Sequence, residues 1–270
     1  MIYVQDAGRI MRNENAWAVS KYAPDGKGRW RANGAEVPVT SRLITNRVAE
    51  VYAQMIGLHA RGQLADISCG NAPLYEMYRP LVDDIVCIDW EATRHTSVYV
   101  DKFVDLNSTF DIGEKSFDTI IATDVIEHLC EPHQFFSACA SALRPKGKLL
   151  IGVPFLYWIH EAPHDYHRYT RHGLEYMLHK AGLKCVSLEP YGGGPEVLSD
   201  ILTKGLGGFR PAATAAHHLL SWVLACPPVK RMSSKSSEAM PLGYVVVAEK
   251  PIQDDQSTSP SMTGLLKGAA

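Results

Sequence analysis

Residues 64–73 read LADISCGNAP, and this stretch decides the fold. It opens with apolar residues, places an acid at Asp66, and turns through small side chains around Gly70. Small residues let a ligand approach the backbone closely, and a helix start just beyond them offers unpaired N–H groups. In an open parallel sheet, ligands bind beyond the carboxyl ends of the strands, where the strand order reverses. Ser68 and Ala72 occupy positions where glycine might be expected. A β-carbon at a positive-φ position costs about 1–2 kcal/mol, so these two residues should weaken ligand binding without abolishing it.

Working outward, apolar residues at Leu43, Ile44, Val48, Val51, Tyr52, Met55 and Ile56 follow a helical period from Ser41. After residues 63–68, read as a strand, the pattern alternates. A short helix is expected at 73–78, a strand at 84–89 (DIVCID) and a short strand at 102–106. A buried strand follows at 117–125 (FDTIIATDV), then a helix at 132–143 and a turn into a strand through RPKGKLLIGVPF. Thr170 can cap a helix that Gly182 closes. LKCVSLEPY and LGYVVVAE complete the strands. Strands alternating with helices imply an α/β fold with a doubly wound, mainly parallel sheet, seven-stranded and Rossmann-like. Residues 1–40 are polar and weakly patterned, an expected irregular arm. Residues 41–250 form the main domain, with 192–239 as a helical insertion before the last strand. Residues 251–270 are rich in Ser, Thr and Asp and are expected to be disordered.

The chain has 270 residues, a net charge of −2 and 46% hydrophobic residues. That content suffices for a large core and gives no basic footprint, so no nucleic-acid partner is expected. Six cysteines without a C-x-x-C pair read as reduced, which suits the cytoplasm. The first residues lack a signal peptide's charged start and apolar run.

Several motifs then fall in order. Asp89 closes the second strand, where it can accept hydrogen bonds from ribose hydroxyls, and Trp90 beside it can pack on an adenine face. DISCGNA, Asp89, VDLN (104–107), FDTIIATDVIEHL and LRPKGKLLIGVP together resemble the class I S-adenosylmethionine-dependent methyltransferases, over about residues 45–190 and the final strand. That resemblance implies S-adenosylmethionine as cofactor. It also implies a binding set of Asp66, Ser68, Gly70, Ala72, Asp89, Trp90, Asp105, Leu106 and Asp124, with Asp105 against the adenine amino group. A nicotinamide dinucleotide would want a longer G-x-G-x-x-G turn cradling pyrophosphate, and no such turn is present.

Methyl transfer to a hydroxyl needs a base within hydrogen-bond reach. TDVIEHL supplies Asp124, Glu127 and His128 directly after the fourth strand, and His128 is the preferred base because imidazole titrates near neutrality. IHEAPHDYHRYT, residues 159–170, gathers a second polar cluster in which His164 and Asp165 are further catalytic candidates. Its alternative is a helix-preceding turn in which Asp165 pairs with Arg168. The segment resembles one in ubiquinone-biosynthesis O-methyltransferases and in the many bacterial methyltransferases, type 11-like, that share H-E-x-P-x-D-Y-x-R-Y-T. In the ubiquinone-biosynthesis enzymes, as in small-RNA 3′-end methyltransferases, E-x-x-E-H gathers a divalent metal. A metal-free site is expected here, with Asp124, Glu127, His128 and His164 as the alternative metal set.

The expected activity is O-methylation of a small molecule or glycan. The competing reading is a catalytically silent binding subunit of a partner enzyme. The apolar block at 219–224, flanked by Lys230 and Arg231, reads first as a lid packed on the sheet or on a partner. Its second reading, for residues 205–232, is peripheral contact with the inner membrane face. Nothing in the sequence bears on oligomeric state.

Overall fold

The computed structural model describes residues 11–93, 95, 98–108 and 110–252. Chain order among these runs β1 (Tyr22–Pro24), β2 (Trp30–Ala32), α1 (Arg42–His59), β3 (Gln63–Ile67), α2 (Tyr75–Tyr78), β4 (Asp84–Asp89), β5 (Lys102–Phe103) and β6 (Phe117–Thr123). It continues with α3 (Pro132–Ala142), β7 (Leu143–Pro154), α4 (Arg171–Lys180), β8 (Lys184–Tyr191), α5 (Gly194–Gly205), α6 (Arg210–Ala225), α7 (Pro227–Ser236) and β9 (Gly243–Glu249). The main sheet has seven strands in the order β5-β4-β3-β6-β7-β9-β8. β9 runs antiparallel to both of its neighbours, and the remaining pairs are parallel. The fold class expected from the sequence is the one observed.

Strand alternation builds two apolar layers. Ala65, Ile67, Ile120, Ala122, Leu149 and Ile151 face a cluster with Phe135, Phe136, Leu174 and Leu178 of α3 and α4. Leu64, Ile121, Leu150 and Val247 face the other way, against Val48, Tyr52 and Ile56 of α1 and Tyr78 of α2. Asp66 shares the pleat face of Leu64, so the period of two aims it at α2. α1 is helical because its apolar residues recur every three to four positions; Ile44, Val48, Tyr52 and Ile56 of that stripe are buried. α4 begins where Thr170 accepts a hydrogen bond from the Gly173 amide at 3.2 Å, a cap worth about 1 kcal/mol.

The described part of residues 1–40 is not irregular throughout. A one-turn 3-10 helix at Glu14–Ala16 precedes the β1–β2 hairpin. The Asp25 carboxylate accepts from the amides of Lys27 and Arg29, both at 3.0 Å, and so closes the hairpin turn. Strands of three residues are too short to show a period of two, so the pattern was silent there. β5 is likewise shorter than the 102–106 expected. Residues 253–270, most of the expected disordered tail, lie outside the described residues.

Candidate active site

The chain turns from β3 out to β4 and β5 and then crosses back to β6 on the other side of β3, which opens a crevice at the tips of β3 and β6. The β3 loop enters it through left-handed backbone: Ser68, Gly70 and Ala72 have φ of 56°, 52° and 46°. Ser68 and Ala72 therefore sit in the conformation that favours glycine, Ser68 exposed and Ala72 fully buried.

Asp89, buried at the tip of β4, accepts from the amide of Gly70 at 2.8 Å and from that of Trp90 at 2.7 Å. A carboxylate offers about four acceptor sites, so it ties the two strand tips together and keeps capacity for sugar hydroxyls. Asp66 is buried beneath Tyr78, whose hydroxyl donates to it at 2.9 Å. Burial, with the nearby Asp89 charge, pushes its pKa up to about 7. Trp90 is half-exposed and meets the His164 ring edge-on, with centroids 5.6 Å apart. Asp105 is exposed and caps its own turn by accepting from the Asn107 amide. Asn107 in turn accepts from the Cys130 amide, which pins this loop to the segment after β6. Leu106 differs from its expected role: it is buried in the α3–α4 layer as a packing residue.

Residues 66–73 include no lysine or arginine. The loop thus offers no side-chain cation to a pyrophosphate, and Asp66 together with Asp89 suits a phosphate-free nucleoside, which fits S-adenosylmethionine.

Asp124 follows β6 with φ of 56°. Its carboxylate accepts from the Tyr52 hydroxyl at 2.9 Å and from Lys21 at 3.3 Å. Tyr52 reaches it only because residue 152 on β7 is glycine; a β-carbon there would lie 2.1 Å from the Tyr52 hydroxyl oxygen. Burial, then the Asp124 charge, raises the Tyr52 phenol well above its ordinary value.

The catalytic candidates gather beyond the 3-10 turn Ile126–His128. The His128 Nδ1 lies 2.6 Å from the His164 carbonyl. A carbonyl only accepts, so Nδ1 carries the proton and Nε2 presents a lone pair. That Nε2 is 3.7 Å from Glu127 Oε1, and so is His160 Nε2. Both distances are too long for hydrogen bonds, and neither Glu127 oxygen has a hydrogen-bond partner although the side chain is fully buried. Burial raises the Glu127 pKa above the usual carboxylate range; His160 works against this and the Asp124 charge adds to it. Burial works against charging His160, yet the facing carboxylates of Glu127 and Asp165 outweigh it and raise its pKa.

Asp165 does not stand free as an acid or base. Arg168 binds it with two nitrogens, at 2.5 and 2.8 Å, and its Oδ2 also accepts from the His160 amide. The Arg168 guanidinium holds its carboxyl far below the usual range. Asp165 is therefore a positioning group for the loop, as the turn reading had it. His164 acts through its backbone carbonyl, while its exposed ring contacts Trp90 and the Tyr166 hydroxyl. The Glu127 carbonyl accepts from the amides of Tyr166 and His167, and the Tyr169 hydroxyl donates to the Ile126 carbonyl, stitching the loop to the turn.

Glu127, His128 and His160 each offer a ligand atom within 4.8 Å of one another. Asp124 and His164, expected in the alternative metal set, are not in that group; Asp124 is taken up by Tyr52 and Lys21. Sequence reasoning missed His160 and Glu127 as the centre of the cluster, although both stand in quoted motifs. Tyr52 and Lys21 carry no local signal, since each reaches Asp124 from more than 70 residues away.

Residues 41–188 match a family model described as a methyltransferase domain. The ubiquinone biosynthesis O-methyltransferase of Xanthomonas euvesicatoria is 28% identical over 145 residues, which cover 50% of this chain and 59% of that protein. The enzyme of the same name from Rhodopseudomonas palustris strain BisA53 is 29% identical over 100 residues, 34% of this chain and 39% of that protein. The chain thus spans less than two thirds of these relatives. A Haloferax volcanii complex of a methyltransferase with a methyltransferase activator has a chain of like fold, with a TM-score of 0.50 and 13% identity, covering 79% of this chain and 95% of that one. With the crevice, its acids and a family match over more than half its length, the chain belongs to the methyltransferase-domain family, as a class I S-adenosylmethionine-dependent methyltransferase fold.

Proposed function

We propose that the protein transfers a methyl group from S-adenosylmethionine to an oxygen atom of a small-molecule or glycan acceptor, with His128 as the general base. The observation that carries this reading is the His128 tautomer: the His164 carbonyl fixes Nδ1–H and leaves Nε2 free to take a proton. Support for oxygen as the acceptor atom comes from the relatives' printed names.

Bound S-adenosylmethionine supplies a methyl group on a cationic sulfur together with a neutral leaving group. The rest falls to side chains. Asp89 holds sugar hydroxyls, Trp90 offers an aromatic face, and His128 Nε2 accepts the acceptor's proton as the bond forms. The Glu127 carboxyl group, 3.7 Å away and out of water, favours the imidazolium that results. Asp165 and Arg168 hold the loop bearing the His164 carbonyl, so the base is set before the acceptor arrives.

One observation favours a second reading. A buried carboxylate with both oxygens unpartnered, flanked by two imidazoles, fits a divalent cation held by Glu127, His128 and His160. Such an ion would supply positive charge to an acceptor oxygen.

The test uses labelled S-adenosylmethionine against cell extracts and glycan fractions, with S-adenosylhomocysteine calorimetry beside it. His128→Gln should lower turnover by about 10²–10⁴-fold with binding intact, whereas Asp89→Ala should abolish binding. Unchanged turnover in His128→Gln would remove the base assignment. No calorimetric heat from the unaltered protein would favour the silent binding subunit.

A further inference from the structure

Among the described residues, the α6–α7 hairpin is little buried and carries only positive charge. α6 spans 16 residues yet has a single buried side chain, Ala213, and α7 has none. The lid reading requires an apolar face packed on the sheet or on a partner; α6 instead lies against α5, half-buries Ala216, Leu220, Val223 and Leu224, and leaves its other side open. Trp222 stands nine residues after Ala213, about two and a half turns, so it points away from the body and is 69% exposed. Leu219, three residues earlier on the same face, is 60% exposed. Two large apolar side chains one turn apart and open to solvent mark this face as an interaction surface.

Charge decides what covers it. Residues 205–237 contain Arg210, Lys230, Arg231 and Lys235, and no aspartate or glutamate. All four cations are exposed. A second copy docking through this hairpin would bring both sets of cations together with no carboxylate from residues 205–237 to offset them, because a two-fold contact uses the same surface twice. An anionic lipid surface instead receives the apolar stripe in its headgroup boundary and the cations among its phosphates. No described helix is long and apolar enough to cross a membrane, which leaves attachment at the surface.

We propose that the α6–α7 hairpin docks the protein onto an anionic lipid surface, with Leu219 and Trp222 entering the headgroup boundary and Lys230 and Arg231 on the lipid phosphates. The insertion is joined to the site: Lys204 at the end of α5 lies 3.6 Å from the Tyr157 ring centroid and 5.0 Å from that of Trp158, both just beyond β7. Trp158 and Ile159 on that rim are themselves exposed. The proposal does not depend on the chemistry at His128.

The test is flotation of the full chain with vesicles of phosphatidylcholine alone and of phosphatidylcholine with phosphatidylglycerol, alongside sedimentation to measure size. The protein should float with the mixed vesicles only, less so in high salt, and Trp222 emission should shift to the blue. L219E/W222E and K230E/R231E should each lower vesicle binding at least about tenfold. Their S-adenosylhomocysteine binding and circular dichroism should match the unaltered protein, since all four side chains are exposed. Failure to float with phosphatidylglycerol would overturn the proposal, as would undiminished flotation of K230E/R231E. A dimer that L219E/W222E converts to monomer would overturn it too and assign the face to a second copy.

Discussion

Asp66→Asn should make the protein more stable at neutral pH and slightly less stable in acid. In the folded chain, burial raises the Asp66 pKa from the ordinary 3.8 to about 7. Below pH 3.8 the carboxyl is protonated in both folded and unfolded chains and stability carries no penalty. As pH rises, the unfolded chain releases the proton first, so stability falls until the folded group also ionises near pH 7. At 1.36 kcal/mol for each pKa unit, that span amounts to about 4 kcal/mol above pH 7. Asparagine keeps an acceptor for the Tyr78 hydroxyl and removes the ionisation. Its amide brings a buried donor that costs about 1 kcal/mol if unpartnered, leaving a net gain of about 3 kcal/mol. Urea denaturation of both proteins from about pH 4.5 to about pH 8.5 should show the curves diverging with pH. Parallel curves separated by less than about 0.5 kcal/mol would refute the reasoning, because Asp66 would then ionise as an ordinary carboxylate. The same substitution tests Asp66 as a member of the expected cofactor-binding set: S-adenosylhomocysteine binding should weaken.

Glycine replacements at the β3 loop should split. Ser68→Gly relieves left-handed strain at an exposed site and should gain about 1 kcal/mol, or about 2 °C in melting temperature. Ala72→Gly relieves similar strain but loses a buried methyl worth about 0.8 kcal/mol, so its melting temperature should hardly move; equal gains in the two variants would contradict this. Gly152→Ala should cost about 1–3 kcal/mol through the clash with Tyr52, and adding Tyr52→Phe should recover little of it, because two ring carbons would still lie 2.4 Å from the new β-carbon, as denaturant midpoints would show. Dialysis against a chelator should leave turnover unchanged; a loss of about tenfold or more that manganese restores would make the Glu127–His128–His160 cluster a metal centre instead.

Most of the scaffold was legible because its determinants are local. The α1 stripe recurs every three to four residues, and DIVCID marks β4 from Asp84 to Asp89 as observed. The acids at strand tips were legible for the same reason: each closes an apolar run. What the sequence hid is set at long range. Lys21 and Tyr52 converge on Asp124 from the N-terminal hairpin and α1, and nothing beside either residue announces it. Glu127 looked like one polar residue among several, and only the packing of the 3-10 turn beneath residues 159–170 strips it of water. His164 was chosen for its imidazole, yet its backbone carbonyl is what engages His128. Backbone roles leave no trace in residue type.

Strain points to the same place as charge. Among the described residues, seven non-glycine positions have positive φ, and four of them, Ser68, Ala72, Asp124 and Glu161, lie in the loops that follow β3, β6 and β7. Asparagine and aspartate tolerate this region, but serine, alanine and glutamate gain nothing from it by themselves. Strained backbone persists only where surrounding contacts over-determine it. Such contacts exist at three of the four: Trp17 donates to the Ala72 carbonyl, Tyr52 and Lys21 fix Asp124, and the Glu161 carbonyl accepts from the His164 amide that begins the Asp165–Arg168 turn. Two of the buried acids, Asp66 and Glu127, lie on the same rim, and burial raises the pKa of both, which costs stability as well. A fold with two apolar layers tolerates these costs, and it would shed them under selection for stability alone. Their concentration at one end of the sheet is the physical reason to look for the chemistry there, whichever acceptor the crevice takes.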